Sequence, residues 1–193
     1  MLSLEEWNLL LMAVLFPVSS VCKSVMCEKS FIKIPNMEHN MCFGCGPSNE
    51  HGLKMHFFGN DTMVYADIAV PDYLLGWNGV VHGGILSTIL DEGMSWGAIF
   101  LTRKFILTKS MTVNYHKPVF VKDMLRVESE IKERLSDREA LMTGRIFNSK
   151  GELCVSSTGV MALMDMDYVK KLGFMKDQDV DDFQKIMNSH DAL

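Results

Sequence analysis

The stretch GVVHGGILSTILDEGMSWGAIFLT, Gly79–Thr102, decides the fold. It is almost wholly apolar, yet two adjacent acids, Asp91 and Glu92, stand near its middle, and a His-Gly-Gly turn, His82–Gly84, opens it. Its length and periodicity predict a helix from about Gly83 to Leu101, buried on nearly all sides. A carboxylate in such a helix costs free energy unless it is paired or used. The first amides of the helix lack intrahelical partners and favour negative charge. Acid and amides together point to chemistry on a carbonyl. Gly93 and Gly97 lie four apart on one helical face and would let a sheet approach closely. Each costs about 1 kcal/mol of helix propensity, which packing has to offset.

Working outward, Lys54–Phe58 and Met63–Val70 read as strands separated by the turn Gly59-Asn60-Asp61, and Pro71–Val81 reads as loop. After the helix come four strand signals with little helix between them: Phe105–His116, Leu125–Arg134, Ala140–Phe147 and Leu153–Met164. Val127, Ser129 and Ile131, and again Leu141, Thr143 and Arg145, carry part of the period-two alternation. Asn148-Ser149-Lys150-Gly151 is a hairpin turn. Sequential strands with short turns form an antiparallel sheet. One buried helix against one such sheet predicts an α+β fold with the sheet curled around the helix. Residues 1–40 read as an extension, 41–165 as the domain and 166–193 as a helical, acidic tail exposed to solvent.

The chain has 193 residues, 48% of them hydrophobic and 22% charged, with a net charge of -5. That composition argues against bulk disorder and gives no reason to expect nucleic acid as a partner. Five cysteines, an odd count, favour reduced thiols and a cytoplasmic setting. Leu9–Phe16 is apolar, but Glu5 and Glu6 precede it and Pro17 interrupts it. The run from Leu9 to Cys22 falls short of the roughly 20 residues that span a bilayer. It reads as a docking helix or an over-long start, with Met26 and Met37 as alternative starts, ahead of an export signal or a peripheral anchor. No integral membrane segment is expected.

The motif VVHGGILSTILDE, followed by TKSMTVNYHKPV, resembles the hotdog-fold acyl-CoA thioesterases, nearest to the phenylacetate-pathway (PaaI-like) branch. The segment CFGCGPSNEHGLKMHFF resembles a bacterial subgroup of that family. The resemblance covers roughly residues 41–165. It implies a hotdog fold and hydrolysis of an acyl-CoA thioester to free acid and coenzyme A. It also implies a role for each matched position. Asp91 stands for the catalytic carboxylate, as base or nucleophile, and Gly83 for the amide that polarises the thioester carbonyl. His82 stands for the histidine that braces the turn, and Thr108 for the hydroxyl that positions water. Gly84, Asn78 and Lys117 are the expected substrate contacts. Many relatives carry Asn or Gln about six residues before the histidine, where this chain has Gly76.

Each role has a plainer rival. Asp91 reads alternatively as a surface acid paired with Lys104 or Lys109. Its neighbour Glu92, about 100° away around the helix, reads as solvated or salt-bridged. Burial would raise the pKa of Asp91 and make it a better base. His82 is either a base or, more simply, a structural residue of the turn. Cys42-Phe43-Gly44-Cys45 offers half of a zinc site, with Cys22 and Cys27 as partners and His39 and His51 nearby. The simpler reading packs those thiols in a Gly-rich loop, with no metal and no cofactor beyond coenzyme A as part of the substrate.

Gly83 and Asp91 are eight residues apart, which is about 12 Å along one helix. One thioester carbon cannot touch both. If both act, they come from different chains, and the site requires a homodimer, with a homotetramer also plausible. Two other classes compete: a non-catalytic hotdog module that binds an acyl group or lipid, and a hotdog dehydratase or hydratase. The second usually carries a differently spaced His/Asp or His/Glu pair that this chain lacks.

Overall fold

The computed structural model describes residues 30–173, 175 and 177–193. Cys22, Cys27 and the apolar run at Leu9–Phe16 lie outside the described residues.

The long helix, α1, spans Gly83–Thr102, 20 residues. His82 caps its start, and Arg103 in left-handed conformation closes its end, donating its N–H to Ile99 O at 2.8 Å. Ten of its residues are buried, including Leu86, Ile89, Leu90, Met94, Trp96 and Phe100. The described residues form nine strands in two sheets. Seven strands form the main sheet: β1 (Ile32–Lys33), β2 (Phe58–Gly59), β3 (Met63–Ala69), β6 (Phe105–Tyr115), β7 (Met124–Ser136), β8 (Glu139–Phe147) and β9 (Leu153–Met164). Their order is β1-β2-β3-β7-β8-β9-β6, every neighbour antiparallel. A separate hairpin pairs β4 (Leu75–Trp77) with β5 (Val80–Val81). This curled antiparallel sheet on one long helix is the hotdog fold.

Why the two layers meet so closely is visible at the glycines. A Cβ on Gly93 would stand 2.9 Å from Val127 Cγ2, and one on Gly97 would stand 2.4 Å from Ser129 Oγ. The buried Ser129 hydroxyl donates to Gly93 O at 2.6 Å, so the strand is bonded to the helix backbone. Alternation does the rest. Along β8 every second residue is buried, and β9 repeats that pattern through most of its length. Their inward residues, Met142, Ile146, Val155 and Met161, are fully buried.

Three segments differ from the sequence-based expectation. Lys54–Phe58 alternates in burial as a strand should, but only Phe58 joins the sheet. Lys54 takes φ 51°, which breaks extended backbone, and Met55 N–H bonds to Gly44 O at 3.0 Å, in the preceding loop. Pro71–Val81, expected as loop, contains a one-turn helix at Asp72–Leu74 and the β4–β5 hairpin. The tail is helical as expected, with α2 (Met166–Leu172) and α3 (Asp177–Asn188), but its apolar face is packed against the domain rather than exposed. Val180, Phe183, Ile186 and Met187 are buried, and Phe183 packs on Phe105 with ring centroids 5.4 Å apart. No helix among the described residues is long and apolar enough to cross a membrane.

Candidate active site

The start of α1 is fixed from both sides. His82 N–H bonds to Leu74 O at 3.1 Å and Val81 N–H to Val119 O at 2.8 Å, tying the turn to the one-turn helix at Asp72–Leu74 and to the loop before β7. His82 Nδ1 accepts the Gly84 N–H at 3.0 Å. The histidine is therefore a helix cap, which satisfies one of the amides that a helix start leaves over. Ile85 N–H bonds to His82 O at 2.9 Å. The Gly83 N–H is left without a partner among the described residues. Gly84, expected as a substrate contact, spends its amide on the cap.

The carbonyl of Gly83 is held as firmly as its amide is free. Tyr115 Oη donates to it at 3.0 Å and Ser87 Oγ at 3.1 Å, and the two hydroxyls lie 2.7 Å apart. Sequence reasoning missed Tyr115. Its position within the strand motif was the available signal. A cleft of about 280 Å³ opens here, lined by Val80, Gly83, Leu86, Tyr115, Lys117 and Val119. Lys117 lines it but is engaged, its ammonium bonding to Glu152 Oε1 at 2.7 Å. Asn78 sits exposed at the tip of the β4–β5 hairpin, beside Gly79 at φ 82°. Gly76 lies against His82, where a Cβ would come 3.3 Å from His82 Cα. The position where the resemblance leads one to expect an amide side chain is adjacent to the turn, and here it is a glycine.

Asp91 lies two turns further along α1. Its Oδ1 accepts the Thr108 hydroxyl at 2.7 Å. Thr108 belongs to β6 where the register against β9 shifts, between Thr108 and Ser110. Such a bulge re-aims a side chain. The lysines that offered Asp91 a surface partner are taken elsewhere: Lys104 pairs with Asp165 at 3.2 Å, and Lys109 pairs with Glu139. The structure brings Asp91 and Thr108 together, and His82 and Gly84 together. It does not bring Asp91 to Gly83 within one chain.

Glu92 corrects an expectation. It is neither solvated nor salt-bridged, but turned under the 41–53 loop, where its Oε1 is hydrogen-bonded to Cys42 Sγ at 3.1 Å. Burial first, and then Cys42, pushes its carboxyl up to about 8. Cys42 moves the other way: the hydrogen bond from the Cys45 thiol holds it below the usual thiol range, against its own burial.

The outer edge of the sheet is β6, 11 residues long and mostly exposed, with Leu107 and Tyr115 among its outward apolar groups. A long unpaired edge is a template for another strand. Beside it the one-turn helix exposes Tyr73, and the hairpin exposes Leu75 and Trp77.

Residues 78–155 match the family model described as Thioesterase superfamily. No curated protein matches the chain. Among solved structures, a thioesterase superfamily protein is 24% identical, with a TM-score of 0.58. That match covers 66% of this chain and 61% of the other, so this chain spans less than two thirds of that relative's length. A hypothetical thioesterase from Streptococcus pneumoniae, solved with coenzyme A, is 25% identical over 54% of this chain and 80% of its own, with a TM-score of 0.51. The PaaI protein of the E. coli phenylacetic acid degradation operon is 15% identical over 58% of this chain and 81% of its own, with a TM-score of 0.54. The resemblance to the hotdog thioesterases is borne out in fold and in this helix-and-strand segment.

Proposed function

From a hotdog chain whose central segment matches the thioesterase superfamily, we propose that this protein hydrolyses acyl-CoA thioesters, with sites built across a homodimer. The observation that carries the reading is the Asp91–Thr108 bond in the middle of α1, combined with the unpartnered Gly83 N–H at its start. Thr108 occupies Oδ1 of Asp91 and leaves Oδ2 to accept a proton from water. That water attacks the thioester carbon. The developing oxyanion takes the Gly83 N–H of the second chain, at the positive end of its helix. Collapse of the tetrahedral intermediate expels the coenzyme A thiolate, which is protonated on release, and leaves the free acid.

Two features of one chain support the dimer. Gly83 and Asp91 are about 12 Å apart along their helix, too far to share one carbonyl. The exposed edge β6 carries Thr108 and runs to Tyr115 beside Gly83. Antiparallel pairing of two such edges sets Thr108 and Asp91 of one chain near the helix start of the other. Lys117, at the cleft beside Gly83, is the group offered to a coenzyme A phosphate once Glu152 releases it. The solved relatives named with coenzyme A and with acetyl-CoA support this ligand class.

The test is a hydrolysis screen over short, long and aromatic acyl-CoAs with the wild-type chain and Asp91→Asn. Turnover of at least one thioester, lost in a variant that stays dimeric, supports the reading. Tight acyl-CoA binding with no turnover would instead make the protein a lipid-binding module, and hydration of crotonyl-CoA would make it a hydratase.

A further inference from the structure

The loop before β2 closes on α1 through three donor groups that the proposed reaction does not use. Cys42 Sγ, Cys45 Sγ and a Glu92 oxygen all lie within 4.8 Å of one another. Cys45 is buried, 6% exposed, and the other two are half-buried. Tetrahedral zinc, with sulfur at about 2.3 Å and oxygen at about 2.0–2.2 Å, sets its ligand atoms roughly 3.5–3.8 Å apart. The cluster needs side-chain adjustments of only about an ångström to reach that spacing.

The backbone is shaped to hold a thiolate pair. Gly46 N–H bonds to Cys42 O at 2.9 Å, folding the Cys-x-x-Cys-Gly segment into a tight knuckle. Two glycines are obligatory to this shape. A Cβ on Gly46 would meet Asn40 O and the Cys42 backbone at 2.6 Å, and a Cβ on Gly44 would meet Glu92 Cγ at 2.2 Å. The absent side chain at 44 is what admits Glu92. The knuckle is also braced from behind, by Asn36 Nδ2 to Cys45 O at 2.7 Å and Leu53 N–H to Phe43 O at 2.8 Å.

We infer that Cys42, Cys45 and Glu92 bind one thiophilic divalent cation of the zinc class, with a solvent molecule in the fourth position. The ion would clamp the 41–53 loop to α1 one residue from Asp91. It would hold the helix in place and take no part in hydrolysis. Binding requires both thiolates, so it displaces protons and weakens in acid.

The experiment uses the full chain, kept under a thiol-free reductant, stripped of metal and titrated with cobalt(II). A sulfur-to-cobalt charge-transfer band saturating at about one ion per chain is expected. Cys42→Ser and Cys45→Ser should lose most of that band, whereas Glu92→Gln should keep a thiolate band with weaker binding. Cys22→Ser/Cys27→Ser should leave it intact. Absence of any band in the reduced wild-type chain, or a band lost in Cys22→Ser/Cys27→Ser and kept in Cys42→Ser, overturns the site. Should the cysteine variants not fold, alkylation of the wild-type chain decides: zinc must protect Cys42 and Cys45 together, as mapped by peptide mass spectrometry, and equal labelling with and without zinc overturns the proposal. Neither readout involves acyl-CoA, so the metal site and the hydrolase reading can fail separately.

Discussion

Thr108 donates its hydroxyl to Asp91 Oδ1 at 2.7 Å, joining the edge strand β6 to the middle of α1. This bond fixes which carboxylate oxygen is free. Asp91→Asn keeps the shape and removes the base, so kcat should fall by about 10²–10⁴. Thr108→Ala removes a hydrogen bond to a charged group, worth about 1.5 kcal/mol or more, and should cost about tenfold or more in kcat. Thr108→Ser should restore most of it. A Thr108→Ala enzyme with unchanged kcat would remove the hydroxyl from the account.

Gly83 allows its amide to be deleted cleanly. Proline is accommodated at the first position of a helix, and the residue before it must be extended. His82 already is, at φ -60° and ψ 133°. Gly83→Pro therefore removes an N–H that has no partner among the described residues. The folded dimer should persist, and kcat should drop by about 10²–10³ if the amide holds the oxyanion. Steady-state kinetics beside an unchanged circular dichroism spectrum checks this, and near-normal kcat would place the oxyanion elsewhere.

Much of this was legible in the chain because it was periodic. The helix, its glycine face and the spacing of Asp91 from His82 follow from one apolar run. Other elements were hidden for specific reasons. The β4–β5 hairpin rests on Asn78-Gly79, with Gly79 at φ 82°, but its strands are three and two residues long and carry no alternation to read. The tail buries Val180, Phe183, Ile186 and Met187 at helical spacing, a signal diluted by the acids between them. Glu92 meets Cys42 across 50 residues of sequence, and no local pattern reports such a contact.

Lys117 holds the Glu152 carboxyl below its usual 4.5, with Asn148 adding to the effect. A depressed folded pKa contributes stability above the unfolded value and loses it as pH falls through the folded one. Both groups are exposed, so the contribution is small. The carboxyl titration of Glu152, followed by NMR, should have its midpoint below 4.5 and should rise in Lys117→Met. Glu152→Gln should free Lys117 and lower KM for acyl-CoA at constant kcat. An unchanged KM would separate this lysine from the substrate.

Gly97 tests the closeness of helix and sheet. Alanine would gain about 1 kcal/mol of helix propensity, but its Cβ would lie 2.4 Å from Ser129 Oγ and 3.2 Å from Met142 Cε. Crowding a packed core costs about 1–3 kcal/mol. Gly97→Ala should therefore lower Tm, and a raised Tm in a thermal melt would mean that the layers are looser than described.

The central claim is that each site joins Asp91 of one chain to Gly83 of another. Asp91→Asn and Gly83→Pro chains, each inactive alone, can be mixed, exchanged and assayed as hybrid dimers. A shared site puts both defects in one site of the hybrid and leaves the other whole, so random mixing should restore about a quarter of wild-type activity. Hybrids no more active than their parents would contradict it.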